Sequence, residues 1–258
     1  MLDDNELNEL RSISIVIPAY NEEKRLPSTL QAVVAYLSRK SFAFSEIVVV
    51  DDGSRDGTAA LVEGWKYPSL RLLRNPGNRG KGYTVRHGML EASGDWILYT
   101  DADLSAPIAE LDKLIAAAEH ESAQVAIGSR ALDRSLVGVH QPAFREMSGR
   151  AFNWVMRSVT GVPFRDTQCG FKLFRAEAAR AIFSRQTLDG FSFDVEDLVI
   201  ARTLGIKAIE VPVVWSNVEG TKVSALSGAA SFAALIGIRW RTLVGKYSSK
   251  ASGVTSHE

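Results

Sequence analysis

The stretch Trp96-Ile97-Leu98-Tyr99-Thr100-Asp101-Ala102-Asp103 combines a short apolar run with two carboxylates separated by one residue. The run reads as a strand, and side chains two residues apart on an extended backbone point to the same side. Asp101 and Asp103 are therefore suited to share one divalent cation, Mg²⁺ or Mn²⁺, with a diphosphate, because these ions prefer oxygen ligands and keep several that the protein does not supply. The alternative is a solvated loop that carries two acids.

Composition sets limits on the function class. The chain has 258 residues, of which 46% are apolar, and this is enough for one large α/β domain or one domain with an appendage. The formal net charge is zero, so no overall field favours nucleic acid, and we expect no nucleic-acid partner. Cys169 is the single cysteine, which excludes an intrachain disulfide and a cysteine metal site, and fits a reducing compartment.

Further apolar runs precede and follow the acidic pair, and segments with helical spacing separate them. Strands are predicted at 13–17, 47–50, 70–73 and 124–127 in addition to 96–100, so a parallel, doubly wound sheet is the expected architecture. A helix is expected to start near Asn21 as its N-cap. In such sheets ligands bind beyond the carboxyl ends of the strands, so one crevice should hold four acids: Asp51, Asp52, Asp101 and Asp103.

Two of these features have a simple structural alternative. Asp51 and Asp52 carry acceptors suited to a nucleotide's base and ribose, yet they also fit a turn that caps backbone N–H groups. The glycine-rich loop 77–82 has neither dinucleotide-binding nor Walker spacing. It is a close-packed turn in which Lys81 is a candidate phosphate contact.

The second half of the chain is less regular. It predicts helices at 144–159 and 193–204 and strands at 171–174 and 208–214. We divide the chain into a polar extension 1–12, a domain 13–222 whose halves meet at 128/129, and a C-terminal segment 223–258. The last predicted helix, 225–247, places apolar side chains on one stripe, which suits either an interfacial helix or a core-packing one: Leu226, Ala229, Ala233, Ile236, Trp240, Leu243 and Tyr247.

Several ordered motifs carry a resemblance to a known family. Ile-Pro-Ala-Tyr-Asn-Glu (17–22), Val-Val-Asp-Asp-Gly-Ser-Arg-Asp-Gly-Thr (49–58), Asn-Arg-Gly-Lys-Gly (78–82) and Asp-Ala-Asp (101–103) resemble an inverting, family 2 glycosyltransferase, which implies a GT-A fold. Motifs after residue 127 resemble the dolichyl-phosphate β-glucosyltransferases, and the related polyprenyl-phosphate mannose synthases share the first half nearly as well. These motifs are Gly-Ser-Arg (128–130), Asp-Thr-Gln-Cys-Gly-Phe-Lys-Leu-Phe (166–174), Phe-Asp-Val-Glu (193–196), Glu-Val-Pro-Val-Val-Trp (210–215) and Val-Glu-Gly-Thr-Lys (218–222).

The resemblance implies roles for individual residues. Asp101 and Asp103 hold the metal-bound diphosphate, Asp52 contacts the uracil or ribose, and Asp166 lies near the transferred sugar. Glu196 and Asp197 occupy the position of the catalytic base in relatives with hydroxyl acceptors. The nucleotide pocket is lined by Pro18, Tyr20 and Glu22, Arg130 and Arg145 lie near phosphates, and Arg145, Arg150 and Lys222 form either the acceptor-phosphate site or a solvated basic surface.

The expected reaction transfers glucose from UDP-glucose to dolichyl or polyprenyl phosphate with inversion. A phosphate monoester, with a second pKa near about 6, is already an anionic nucleophile at neutral pH and needs cations rather than a base. A hydroxyl acceptor would instead need a carboxylate such as Asp197. The alternatives are a mannose synthase using GDP-mannose, a soluble hydroxyl-accepting family member and a receiver-type signalling module.

The expected location is the cytoplasmic face of a membrane. Residues 1–11 are too polar for a signal peptide, and no apolar run reaches the roughly 18 residues of a spanning helix. Eukaryotic dolichyl-phosphate glucosyltransferases usually begin with a membrane helix, and the present sequence shows none. We therefore expect peripheral attachment to the membrane surface.

Overall fold

The computed structural model describes residues 11–139, 156–216 and 227–248. A seven-stranded sheet has the order β3-β2-β1-β4-β7-β5-β8, and β6 pairs with β9 in a small second sheet. Within the large sheet every pairing is parallel except those of β7, which runs antiparallel to β4 and to β5. The strands are β1 (Ser12–Ala19), β2 (Phe44–Asp51), β3 (Leu70–Arg74), β4 (Trp96–Thr100), β5 (Val125–Ser129), β6 (Val137–Val139), β7 (Phe171–Arg175), β8 (Ala208–Pro212) and β9 (Trp215–Ser216).

Within the described ranges seven helices cover the sheet, and residues 156–160 are also helical. The α/β architecture with a mostly parallel sheet agrees with the prediction from the sequence. The helices are α1 (Leu26–Leu37), α2 (Thr58–Glu63), α3 (Lys81–Glu91), α4 (Leu111–His120), α5 (Ala176–Phe183), α6 (Phe193–Thr203) and α7 (Ser227–Leu243), with 3₁₀ turns at Ile108–Glu110 and Arg134–Leu136.

Alternation along the central strands creates a core on each face of the sheet. Ile15 and Leu98 face the layer formed by α1 and α4, whereas Val16 and Tyr99 face the layer formed by α3, α5 and α6. Because the strands are covered on both faces, consecutive strand residues are apolar, which is why they read as continuous runs in the sequence.

The predicted start of the first helix is wrong. Asn21 does not cap α1, which begins at Leu26 with a proline in its first turn. Asn21 instead adopts a positive φ of 54°, and its side-chain oxygen accepts a hydrogen bond from the Arg55 amide at 2.8 Å. The four residues after it form a turn that joins the loop after β2, so the helix starts later than the periodicity indicated.

The antiparallel direction of β7 determines which segment lies at the edge of the sheet where the parallel strands end. Its first residue, Phe171, pairs with Thr100, the last residue of β4. The segment before β7 therefore reaches the same edge as the carboxyl ends of β1, β2, β4 and β5. A strand parallel to its neighbours would have carried that segment to the opposite edge.

The C-terminal helix α7 buries a different face from the predicted one. Leu235 and Ile238 are buried against the α6 side, while Ile236, Trp240 and Leu243 of the predicted stripe are 68%, 62% and 68% exposed. Among the stripe residues whose side chains the structure describes, Tyr247 enters the core. The reason is that α7 carries apolar side chains on two faces, and the periodicity alone did not identify the one that packs. In the described ranges no helix has the length and apolar content needed to cross a bilayer.

Candidate active site

The acidic pair lies in a turn that is fixed from two sides. The Asp101 amide donates to the carbonyl of Gly170 at 3.1 Å, and the Ala102 carbonyl accepts from the Thr29 hydroxyl of α1 at 2.6 Å. Asp103 accepts from the Ser105 amide at 3.0 Å. Both carboxylates are only half-buried. The turn therefore places two hard oxygen donors at the edge of the sheet where the parallel strands end, and their role as cation ligands stays a prediction.

Gly170 leaves the space that the Asp101 carboxylate occupies. A Cβ atom at position 170 would lie 2.1 Å from Oδ2 of Asp101 and 2.4 Å from its Cγ. No side chain fits there without displacing the carboxylate. The close approach of the two backbones explains why a glycine precedes β7.

Lys81, the first residue of α3, contacts the same carboxylate. Its Nζ lies 2.7 Å from Oδ1 of Asp101. Burial alone would lower the pKa of Lys81, but Asp101 and Asp194 outweigh burial and raise the pKa above its ordinary value. The side chain is therefore a fixed positive charge beside the acidic pair.

Asp52 organises the glycine-rich loop. Its carboxylate accepts hydrogen bonds from Asn75 Nδ2 at 2.8 Å and from the amides of Arg79 and Gly80 at 2.8 and 2.9 Å, and the residue is buried. Asp51 accepts more distant bonds from the Ser54 amide, at 3.3 and 3.4 Å. This geometry matches the capping alternative considered for the pair. Direct contact of Asp51 or Asp52 with a nucleotide stays a prediction.

The predicted nucleotide-pocket residues follow the carboxyl end of β1. Pro18 is in β1, paired with Val50, and Tyr20 is half-buried just beyond the strand. The Glu22 carboxylate is engaged by the Arg25 guanidinium at 2.6 and 2.7 Å, and its amide donates to the Thr58 hydroxyl. The structure thus brings all three to the edge where Asp52 and Asp101 lie.

Arg130 and Asp166 form a two-point ion pair on the other side of the crevice. Arg130 Nε and Nη2 lie 2.6 and 2.7 Å from the two carboxylate oxygens, and the Arg130 amide donates to the same group. Burial would raise the pKa of Asp166, but the guanidinium holds it below its ordinary value. Conversely, burial would lower the pKa of Arg130, and Asp166 raises it. Both groups therefore stay ionised across the physiological range.

Glu210 in β8 forms hydrogen bonds with residues next to this ion pair. It accepts from the Ser129 hydroxyl at 2.6 Å and from the amides of Arg165 and Asp166 at 2.8 to 3.1 Å. Trp215 lies beneath the Arg130 guanidinium, 5.2 Å from the ring centroid. The motif at 210–215 is part of the family resemblance, but the sequence assigned no role to Glu210 or Trp215.

The two predicted base carboxylates do not face the crevice. Glu196 is fully buried and accepts from the Thr187 hydroxyl, the Leu188 amide and the Tyr247 hydroxyl at 2.6 to 2.7 Å. Asp197 is 2% exposed, and burial, followed by the charges of Glu196 and Asp194, raises its pKa well above the ordinary value. The assignment of these residues as the catalytic base therefore disagrees with the structure, because a group without solvent access cannot contact the acceptor.

Comparison with known proteins places this arrangement in a family. Residues 14–183 match the family described as Glycosyl transferase family 2. The chain belongs to glycosyl transferase family 2. This glycosyltransferase is 37% identical over 235 residues to a dolichyl-phosphate β-glucosyltransferase of Trichomonas vaginalis, covering 86% of this chain and 70% of that protein. It is 36% identical over 253 residues to a dolichyl-phosphate β-glucosyltransferase of Dictyostelium discoideum, covering 93% of this chain and 77% of that protein.

Solved structures agree with the fold of the glycosyltransferase. The mannosyl-3-phosphoglycerate synthase of Rubrobacter xylanophilus superimposes with a TM-score of 0.67 at 16% identity, over 96% of this chain and 79% of that chain. The glucosyl-3-phosphoglycerate synthase of Mycobacterium tuberculosis superimposes with a TM-score of 0.62 at 20% identity, over 96% of this chain and 85% of that chain. That structure is a complex with Mn²⁺, UDP and glucosyl-3-phosphoglycerate. The resemblance to family 2 and the GT-A fold predicted from the motifs are both confirmed.

Two charged residues of the glycosyltransferase were not identified from the sequence. Lys172 of β7 and Asp194 of α6 form a buried ion pair beneath the acidic turn. A lysine inside the apolar run 171–174 was the available signal, since a charge in a buried strand needs a partner. Asp194 was passed over in favour of its neighbours Glu196 and Asp197.

The predicted acceptor-phosphate residues Arg145, Arg150 and Lys222 lie outside the described ranges. Within the described ranges, no group of three or more histidine, cysteine, aspartate or glutamate side chains is arranged to hold a metal ion.

Proposed function

We propose that this glycosyltransferase moves glucose from UDP-glucose to dolichyl or polyprenyl phosphate, with inversion at the anomeric carbon. The observation that carries the choice of acceptor is the burial of Glu196 and Asp197. A hydroxyl acceptor needs an accessible base, whereas a phosphate monoester is already an anion at neutral pH. The names of the relatives from Trichomonas and Dictyostelium support the same acceptor and the same sugar.

The acidic turn fits a divalent cation at the donor diphosphate. Asp101 and Asp103 offer the hard oxygen donors that Mg²⁺ and Mn²⁺ prefer. Gly170 supports this fit, because the space a Cβ atom would fill there is left to the Asp101 carboxylate. The Mycobacterium neighbour was solved with Mn²⁺ and UDP, which supports the same ligands here. When bound, the cation would offset the charge that develops on the leaving diphosphate.

The protein's own side chains position the two substrates. Lys81 adds a positive charge beside the diphosphate, and the loop that Asp52 holds in place shapes the donor side of the crevice. The Arg130–Asp166 pair supplies an oriented guanidinium on the opposite side. We assign the acceptor phosphate to Arg145, Arg150 and Lys222, since an anionic acceptor needs cations to bring it toward an anionic donor and does not need a base.

We place the protein on the cytoplasmic surface of a membrane, with the exposed face of α7 against the lipid. Ile236, Trp240 and Leu243 project outward from this helix, and Arg239 beside them is also exposed. Apolar side chains with an aromatic ring and neighbouring cations suit an anionic lipid interface. A surface-bound enzyme can take its lipid-linked acceptor directly from the bilayer.

A single assay tests donor and acceptor together. The full chain with Mn²⁺ is incubated with labelled UDP-glucose or GDP-mannose, and with dolichyl phosphate or unphosphorylated dolichol. We expect a labelled glycolipid from UDP-glucose and dolichyl phosphate alone. A product from GDP-mannose only would overturn the sugar assignment, and equal transfer to dolichol would overturn the phosphate acceptor.

A further inference from the structure

A short loop between α5 and α6 packs against the start of α3. The main-chain carbonyl of Asp189 accepts hydrogen bonds from the amides of Gly82 and Tyr83 at 2.7 and 3.3 Å. The side-chain amide of Gln186 donates to the Gly82 carbonyl at 2.9 Å. We call residues 186–190 the anchoring loop, because these bonds hold the first turn of the helix in place.

The anchoring loop approaches α3 so closely that the helix start has room only for glycine. A Cβ atom at Gly82 would lie 2.4 Å from the carbonyl oxygen of Leu188, and one at Gly80 would lie 2.5 Å from that of Asp189. Main-chain oxygens cannot move aside as the end of a flexible side chain can. The two glycines around Lys81 therefore serve the contact with this loop.

The same contact leaves few amides of α3 for a ligand. The first four N–H groups of a helix have no partner within it. Here the Gly80 amide donates to Asp52, and the amides of Gly82 and Tyr83 donate to the anchoring loop. Three of the four are thus occupied by protein acceptors. An anionic ligand would have to meet the start of this helix chiefly through the Lys81 side chain.

One buried carboxylate holds the anchoring loop. Glu196, in the first turn of α6, is fully buried, and its Oε2 accepts from the amides of Thr187 and Leu188 at 2.9 and 2.7 Å. Its Oε1 accepts from the hydroxyls of Thr187 and Tyr247 at 2.6 and 2.7 Å. Removing the carboxylate would leave both loop amides without their acceptor, which would disfavour the present position of the loop.

The contacts continue from the anchoring loop to the acidic turn. Lys81 lies between the two glycines that touch the loop, so the loop fixes the backbone from which its side chain extends. Phe191, which directly follows the loop, has its ring centroid 6.0 Å from Lys81 Nζ. That nitrogen lies 2.7 Å from Oδ1 of Asp101. Direct contacts therefore connect Glu196 with the acidic turn.

We propose that Glu196 is a positioning residue of the donor site, which sets the place of Lys81 through the anchoring loop, a role that rests on the proposed binding of UDP-glucose at the acidic turn. The carboxylate accepts four hydrogen bonds and takes no proton from a substrate. This gives a use to an acid that occupies the position of the catalytic base in hydroxyl-accepting relatives and has no access to an acceptor.

Glu196→Gln separates positioning from proton transfer. The amide oxygen of the new side chain can accept from both loop amides, while its NH₂ group donates to the hydroxyls of Thr187 and Tyr247, which can rotate to accept. UDP affinity, measured by calorimetry with Mn²⁺, and the rate of glucose transfer should both stay within about threefold of the unchanged chain. Loss of transfer with UDP affinity retained would assign Glu196 to the chemical step and overturn the positioning role.

Glu196→Ala removes all four hydrogen bonds and should have the opposite result. UDP binding should weaken about tenfold, the size of the effect of one hydrogen bond to a charged group. Hydrogen exchange at the amides of Gly82 and Tyr83 should become at least about tenfold faster, because the loop that covers them is released. Unchanged UDP affinity in this variant would overturn the role of Glu196 alone, whereas an unchanged chain that binds no UDP would overturn the proposed donor site as well.

The matched control is a second buried glutamate at the opposite edge of the sheet. Glu46 is 3% exposed and accepts from the Ser14 hydroxyl and the Ser93 amide, both at 2.7 Å, near the amino ends of β1 and β2. Glu46→Ala should also destabilise the fold but leave UDP affinity within about twofold. Equal weakening of UDP binding by both alanine variants would indicate general destabilisation and overturn the role of Glu196.

Gln186→Leu tests the same connection if Glu196→Ala does not fold. It removes the side-chain bond between the anchoring loop and Gly82 and leaves Glu196 intact. UDP binding should weaken about fivefold, and adding Glu196→Ala should weaken it by clearly less than the product of the two single effects, because both changes act through one loop. Unchanged UDP affinity in Gln186→Leu would show that the loop does not position the donor site.

Discussion

Gly170 determines how closely the β7 loop approaches the acidic turn. Gly170→Ala should weaken Mn²⁺ binding about tenfold or more, because the new Cβ would lie 2.1 Å from Oδ2 of Asp101 and must displace it. The φ angle of Gly170 lies outside the left-handed region, so alanine brings no backbone strain of its own. Gly190→Ala is the control, since a Cβ there meets no atom within 4 Å. Unchanged Mn²⁺ affinity in Gly170→Ala would show that Oδ2 is not a ligand.

Asp166 links stability to pH through its pairing with Arg130. Because its pKa in the folded protein is held below the unfolded value of about 3.9, the stabilisation is complete above that pH and is lost as pH falls through the folded pKa. Asp166→Asn should therefore lower the free energy of unfolding by about 2 kcal/mol at pH 7, after allowance for the partly exposed Arg130, and by much less near pH 2. Urea unfolding at both pH values measures the difference. A loss that is the same at both pH values would contradict the ionic origin.

The exposed face of α7 can be substituted with little effect on the packed core. Trp240→Ser combined with Ile236→Ser should reduce binding to anionic lipid vesicles about tenfold or more, and change thermal stability little, because the two side chains are 62% and 68% exposed. Phe44→Ser is the control, since this 42%-exposed residue starts β2, away from α7. Vesicle co-sedimentation provides the measurement. Equal loss in the control would point to a general effect of surface hydrophobicity.

The sequence predicted elements well where their physical signal is local. The strands β1, β2, β4 and β5 were identified because burial on both faces gives each of them a continuous apolar run. The helix near Asn21 was misplaced because the left-handed backbone at that residue depends on a bond to Arg55, which belongs to another loop. The face of α7 was misjudged because both faces are apolar, and only packing against α6 selects one.

The positions of the site residues could likewise be predicted only where they follow from local sequence and sheet topology. Asp101 and Asp103 are separated by one residue in the chain, and Arg130 follows a recognisable strand, so the edge of the sheet at which they lie follows from its topology. Lys172 and Asp194 are 22 residues apart and meet only because β7 enters the sheet in the reverse direction. The burial of Glu196 and Asp197 likewise depends on how α6 turns against the sheet, and a motif does not encode that rotation.

At the scale of the whole molecule, the two halves share one sheet. β7 lies between β4 and β5, so the half of the chain after residue 128 supplies the strand that joins the last two strands of the half before it. A fragment ending at residue 139 should therefore fail to unfold cooperatively, because β4 and β5 would each lack a neighbour and expose apolar edges. Chemical unfolding followed by circular dichroism tests this, with the full chain as reference. A sharp, reversible transition in the fragment would show that residues 1–139 fold independently.

The reversed strand also sets an order of events during synthesis. On the ribosome, the residues that would bind the nucleotide sugar emerge well before residue 170. Until Gly170 and β7 arrive, the Asp101 amide has no carbonyl to bond. A nascent chain would therefore lack the complete acidic turn until β7 has been made. Such timing would keep an unfinished enzyme from hydrolysing the nucleotide sugar.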